Sequence, residues 1–331
     1  MAVDAEMRAP AATTRAQRGR ADSLAIFARV LAIGTFAVVS AGTVVTSTRS
    51  GLADRHWPLF SGRLLPSFSE MLNDFALFWE HGHRAIAGSM VVLTAVFAVC
   101  LARSSGKPRW LKRLGVLSAV VIVLPAILGG LTVLAELRIP GLSIFHVSVA
   151  MLALSLNAAL AVLTGPRWRS MPEAFLTAPA MKPEDAAWVA RGAAASAAAV
   201  YVQIILGALP RHMDVGVVPH IITAFLVFTL VVLVASRVLG RHSRAPGLLG
   251  PSMALLALVF VQFFLGFTTF IVRPAGAKAP GSGLYEVSAT LHIVAGALML
   301  VISVVFLLRA LRLRQLVDAR EAPGLAAGGV A

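Results

Sequence analysis

The chain has 331 residues, of which 58% are hydrophobic and 13% charged, and its mean hydropathy is +0.84. Soluble domains are about 45–50% apolar and about 25% charged, so a water-soluble globular protein is excluded. The net charge of +14 does not mark a nucleic-acid binder, because the basic residues form short clusters between long apolar runs. A lone Cys100 excludes an intramolecular disulfide and any Cys-rich metal cluster, leaving the histidines as the soft ligands.

In chain order, residues 1–23 are rich in Ala, Arg and Thr and read as a disordered tail. A membrane-spanning helix needs about 20 apolar residues, and eight runs qualify: 24–46, 84–103, 114–136, 143–164, 187–209, 219–239, 248–272 and 288–312. The first is too long for the apolar core of a signal peptide and reads as a true span. The fold class is therefore all-α and polytopic, with eight transmembrane helices. Orientation follows from basic residues. With the N-terminus in the cytoplasm, twenty of the 29 Lys and Arg face inward and eight outward, among the latter Arg49, Arg55, Arg63, Arg84, Arg138, Arg211, Arg273 and Lys278. Cytoplasmic loops carry the excess of positive charge, so both termini are expected inside, and most of the +14 faces anionic inner-leaflet lipid.

A repeat underlies the spans. Ile127-Leu128-Gly129-Gly130 precedes a loop and then His146; Phe264-Leu265-Gly266-Phe267 precedes His292; Ile205-Leu206-Gly207-Ala208 precedes His220. Ala41-Gly42-Thr43 followed by His83 repeats the plan more loosely. Each unit is a helical hairpin with a histidine near the outer end of its second helix. Four units make two halves, 24–164 and 187–312, joined by a cytoplasmic segment 165–186 and followed by a tail 313–331. Four spans restore the starting orientation, so the halves are parallel repeats.

Ionisable side chains at membrane depth are costly and mark functional sites. In a four-helix half the second and fourth helices lie diagonally across the core, which pairs His83 with His146 and His220 with His292. Two imidazoles on opposite sides of a flat macrocycle are an axial ligand set for haem iron, whereas bare zinc or copper needs a third protein ligand that neither half supplies. Neighbouring glycines read either as close helix packing or as room for the macrocycle. Glu80 lies three residues before His83, on the same helix face, and is a candidate proton-transfer carboxylate or a partner for Arg84. Arg84, Arg211 and Arg273 are outer cations suited to haem propionates or to headgroups. His56, His81, His212 and His242 read as solvated, and Cys100 as a small buried hydrophobe.

Glu80-His81-Gly82-His83-Arg84 resembles the Glu-x-x-His-Arg signature of haem A synthases. Arg49-Ser50-Gly51-Leu52 with Trp57-Pro58-Leu59 is similar to that family's first outer loop, and Gln203-Ile204-Ile205-Leu206-Gly207-Ala208 with Arg211-His212 to its fifth span. The resemblance covers residues 24–312. It implies an oxidoreductase of the cell (bacterial inner) membrane that converts the C8 methyl of haem O to a formyl group by successive hydroxylations, making haem A for cytochrome oxidase. It implies a haem b cofactor on His220 and His292 with Arg211 nearby, a substrate haem on His83 and His146, and Glu80 as catalytic carboxylate. It also implies an electron donor, and haem O synthase and oxidase assembly factors as partners. Where many members carry two loop cysteines, this chain has residues such as Ala53 and Phe60; Pro210-Arg211-His212-Met213-Asp214 replaces a more usual Val-Arg-His-Thr-Gly. Two alternatives stand beside the enzyme: a bis-His haem b electron-transfer protein without substrate oxidation, and a haem carrier. Only the enzyme requires Glu80.

Overall fold

The computed structural model describes residues 15–60, 63, 66–273 and 283–321. Among them, eight helical stretches are long and apolar enough to cross a membrane: Asp22–Ser47, Phe75–Arg103, Arg109–Leu134, Pro140–Thr164, Pro183–His212, Val217–Arg241, Leu249–Ile271 and Gly283–Glu321. They are numbered here as spans one to eight. The only pairing of extended backbone among the described residues is an isolated bridge between Phe60 and Arg63. The chain is an all-α, multi-pass membrane protein.

Local chemistry explains where the spans begin and break. Span two starts nine residues before the expected 84 because Asp74 caps it, accepting from the Leu77 N–H at 3.0 Å. Glu80 and His83 therefore lie inside the helix. Spans four and five open on Pro140 and Pro183, where a missing N–H has no helical partner to lose. Span three is two helices, Arg109–Val121 and Val123–Leu134, meeting at Ile122, with Pro125 in the first turn of the second. Proline removes a backbone donor and crowds the preceding turn, so a bend at this point has a cause. The loop after span one carries a short helix, Phe68–Asn73, closed by a reciprocal Ser67–Glu70 capping box.

Other expected boundaries shift as well. The first helix begins at Arg15, so the end of the supposed disordered tail is helical, and the last continues to Glu321, past the expected 312. The segment 165–186 holds two short helices, Pro166–Arg169 and Met171–Leu176. Residues 1–14 and 322–331, and with them Arg8, lie outside the described residues, as does Lys278.

Each set of four spans closes on itself. Consecutive spans pack together, and span one also packs on four and span five on eight, while two with four and six with eight are not among the closely packed pairs. Those pairs are the diagonals. The two sets meet through spans one, four, five and eight. Buried polar side chains tie helices at depth: Ser118 Oγ donates to Asn157 Oδ1 and Asn157 Nδ2 to Thr35 Oγ1, both at 2.8 Å, linking spans three, four and one. Each such bond contributes about 0.6 kcal/mol on average in membrane proteins, so the chain uses many weak ties besides the packed Phe97, Leu154 and Phe306.

Candidate functional site: four histidines around one cavity

The two histidines of the first half are held by the helix before them in the same way. His83 Nδ1 donates to the Val38 carbonyl (3.0 Å) and His146 Nδ1 to the Pro125 carbonyl (2.9 Å). Val38 is four residues before Gly42, and Pro125 four before Gly129. A Cβ built on those glycines would meet the ring Cε1 of His83 at 2.8 Å and of His146 at 3.2 Å. Gly207 and Gly266 stand against His220 and His292 in the same way, each at 2.9 Å from Cε1. In span five, Gln203 takes the carbonyl's place in sequence, and its Nε2 lies 3.1 Å from His220 Nδ1. Gln262 occupies the equivalent position toward His292. The glycine thus clears the imidazole, which a Cβ would strike, and all four glycines also line the cavity. In His83 and His146, fixing Nδ1 orients the ring and leaves Nε2 as the nitrogen for a ligand.

All four rings line one cavity of about 1410 Å³ that runs through both halves. Single-ligand pockets are commonly about 300–1,000 Å³, so this space is large enough to consider two bulky occupants. The rings of His220 and His292 lie nearly perpendicular, edge to face, with centroids 6.3 Å apart. That is the spacing of two rings sharing one metal atom through bonds of about 2 Å each, the remainder being the half-width of each ring. Among the described residues no three His, Cys, Asp or Glu side chains gather as a metal site. Paired imidazoles in a wide apolar cavity therefore fit a macrocyclic iron.

Glu80 stands at the rim of the first half. It is 3% exposed, lines the cavity, pairs with Arg84, and accepts the Asp54 backbone N–H through Oε2 at 3.0 Å. Arg84 also donates to the Asp54 carbonyl at 3.0 Å and to the His56 carbonyl at 2.8 Å. Glu80 is thus a partner for Arg84, as one of its two sequence readings expects, and the pair is tied to the first loop.

The family pattern of cytochrome oxidase assembly proteins named COX15-CtaA matches residues 25–219. The chain belongs to the COX15-CtaA family. Heme A synthase of Bacillus licheniformis is 31% identical over 105 residues, 31% of this chain and 33% of that protein. Heme A synthase of Bradyrhizobium diazoefficiens is 31% identical over 151 residues, 43% of this chain and 41% of that protein. The matched segments thus span well under half the length of these curated relatives.

Other side chains in this COX15-CtaA member depart from the sequence reading. His81 is not solvated: it is 1% exposed, with Nε2 3.2 Å from Asp54 Oδ2 and its ring edge-on to Phe60. His242 is also largely covered, beside Asp185, and His212 lines the cavity. His56 alone of the four stays mostly open, bonded to Asp54 Oδ1 at 2.9 Å. Cys100 is exposed rather than buried, because in a membrane the outside of a bundle is as apolar as its core. Arg211 lines the cavity and donates to Ser47 Oγ at 2.8 Å, and Ser47 shares a second bond with Thr290 at 2.7 Å. Spans five and eight thereby meet on span one. Arg273 pairs with Asp214 and donates to the Pro210 carbonyl at 3.2 Å.

Asp54 is the residue that sequence reasoning missed. Its carboxylate is buried among His56, His81 and Arg84. Burial alone would raise its pKa, but the His56 N–H and ring, then Arg84 and His81, hold it below the usual 3.8. Little near Asp54 in sequence signals this, since all its partners but His56 lie 26–30 residues on.

Proposed function

We propose that this chain is a haem A synthase, oxidising the C8 methyl of haem O to a formyl group through an alcohol, with loss of water after the second hydroxylation. The observation that carries the reading is the pairing of two diagonal histidine sets in one cavity with a buried carboxylate beside only one of them. His220 and His292 would hold a resident haem b, with Arg211 near its edge. His83 and His146 would hold the substrate in the half formed by residues 24–164, and residues 187–312 would form the cofactor half. The bound iron supplies the redox chemistry.

The protein's own contribution is placement. Gly42 and Gly129 let the two imidazoles reach the backbone of spans one and three, so each ring has one orientation and presents Nε2 to the cavity. The apolar walls exclude water from the macrocycle faces. Glu80 sits within the same helix turn as His83, where it can accept or return a proton at the reacting edge. Arg84 and the Asp54 N–H hold its two oxygens and fix that position. A plain electron-transfer protein would account for the histidines, but it has no use for Glu80.

The basic-residue asymmetry supports a cytoplasmic location for both ends, placing the histidines at the outer side of a bacterial-type inner membrane. The test is co-expression with a haem O synthase followed by mass analysis of the extracted haems. Haem A or its alcohol precursor is the expected product; haem O alone would overturn the enzyme reading and favour electron transfer.

A further inference from the structure

The two halves differ where the cavity meets the bilayer. Aligning His83 with His220 and Gly129 with Gly266 puts Gly88 opposite Phe225 and Ala126 opposite Phe263. The next pair along the seam, farther from the histidines, is Val91 and Val123 in the first half, and Phe228 and Phe260 in the second. In the second half these aromatic rings interlock across the seam of spans six and seven: Phe225 to Phe263 at 4.9 Å, Phe228 to Phe260 at 5.1 Å and Phe228 to Phe263 at 5.4 Å. Phe225 and Phe263 line the cavity and so form part of its wall. In the first half the equivalent wall is Gly88 and Ala126, which also line the cavity. A Cβ built on Gly88 would meet nothing within 4 Å.

The backbone agrees. Span two packs mainly on the Arg109–Val121 part of span three and hardly touches Val123–Leu134. The break at Ile122, with Pro125 after it, separates the two parts. Beyond Gly88 and Ala126 the same seam continues as a groove of about 520 Å³ lined only by Ala, Val and Leu, including Ala95, Ala98, Ala119 and Val123. An aqueous path would need polar lining; this one is a path for something dissolved in lipid.

We propose that the seam between spans two and three, at Gly88 and Ala126, is a lateral portal. Through it an apolar macrocycle passes between the bilayer and the His83–His146 site, with an apolar substituent accommodated in the groove below. The matching seam between spans six and seven is shut by Phe225 and Phe263, which retain a resident macrocycle. The portal rests on the functional reading above for the identity of its cargo, and it supplies a physical reason why the first half exchanges its occupant and the second does not.

The test uses the full-length protein carrying its resident haem, reconstituted in phosphatidylglycerol–phosphatidylethanolamine vesicles. Iron protoporphyrin IX is added in the lipid, and uptake of a second equivalent is followed by absorbance. The double variant Gly88→Phe/Ala126→Phe, which copies the second half's seam, is expected to slow uptake by about tenfold or more. An unchanged His220–His292 spectrum shows that the variant is folded. Uptake at the wild-type rate in that folded variant, or no second equivalent in the wild type, would overturn the portal. The reverse variant, Phe225→Ala/Phe263→Ala, does not depend on the first one folding: its resident haem should pass to apomyoglobin about tenfold faster or more. No acceleration would equally overturn the proposal. Uptake that depends on the portal, together with co-expression yielding only haem O, would sink the oxidase reading and leave the portal standing.

Discussion

The two halves hold their histidines with one device and surround them with different chemistry. In both, a glycine on one helix admits an imidazole from the next, at nearly the same distance. Around His83 the rim is charged: Glu80, Arg84, Asp54 and His81 form one buried cluster. The positions matching Glu80, His81 and Arg84 in span six are Val217, Val218 and Ile221, and the polar contact to His220 is the neutral Gln203, itself tied to Thr223. The common device follows the glycine-then-histidine repeat of the sequence. On the function proposed above, the difference separates holding from chemistry: a histidine pair in an apolar wall would retain a macrocycle, and the carboxylate beside the other pair would be where a proton moves.

The largest effect is expected from the holding half. Changing His220 or His292 to Ala should abolish the low-spin bis-His spectrum of the purified protein, and with it haem A formation in cells, while His83→Ala should keep that spectrum. If both second-half variants retain the spectrum, the halves have been assigned the wrong way round. Next in size is Glu80→Gln, which keeps shape and hydrogen bonding but removes the charge. It should lower haem A formation by about 10²-fold or more, with the second-half spectrum unchanged. Wild-type yields of haem A in this variant would erase the chemical distinction between the halves.

Much of this was legible in the sequence because its signals are local. Eight apolar runs, the repeat spacing and the diagonal pairing of histidines need only helix geometry and connectivity, and spans two and four do lie apart across their set. The Gly42–His83 unit, the least regular in sequence, is as close in structure as the others. What could not be read depends on contacts between distant segments. Asp54 reaches His81 and Arg84 only because the first loop folds back over the end of span two. Cys100 and His81 were misplaced for a related reason: hydrophobic pattern says that a helix is in the membrane, not which of its faces meets lipid.

The shared device is itself testable, at a smaller scale. Gly207→Val and Gly42→Val would each drive a side chain into the ring of the facing histidine, now 2.9 Å and 2.8 Å from a bare Cβ position. Displacing a ligand's orienting contact typically costs about 10–100-fold in metal affinity. Gly207→Val should therefore weaken haem retention by that order in the second half, and Gly42→Val should weaken only uptake of a second equivalent. Titration with haem, monitored by absorbance, separates the two. Equal loss of resident haem in both variants would mean that the halves are not independent sites.

The smallest expected effect concerns acid, and it should strike one half only. Asp54 lies outside the membrane-spanning segments, and its pKa is held below 3.8 in the folded protein. A carboxylate with a depressed folded pKa contributes stability that is fully present above its unfolded value and is lost as pH falls through the folded one. Docking of the first loop should thus be constant from neutral pH to about 4 and loosen only below that. Gln203 and Thr223 do not titrate, so the polar contact beside His220 has no matching acid leg. Hydrogen exchange of the segment 50–60, corrected for the intrinsic pH dependence, reads this directly, since the Asp54 amide donates to Glu80. Asp54→Asn should lower protection there by about tenfold near neutral pH, as expected for a weakened buried hydrogen-bond set, and remove the further loss below pH 4. Protection that survives to pH 3 unchanged, in both the native chain and Asp54→Asn, would mean that the charged cluster does not hold the loop. Glu80 would then owe its place to Arg84 and the loop backbone, not to the Asp54 carboxylate.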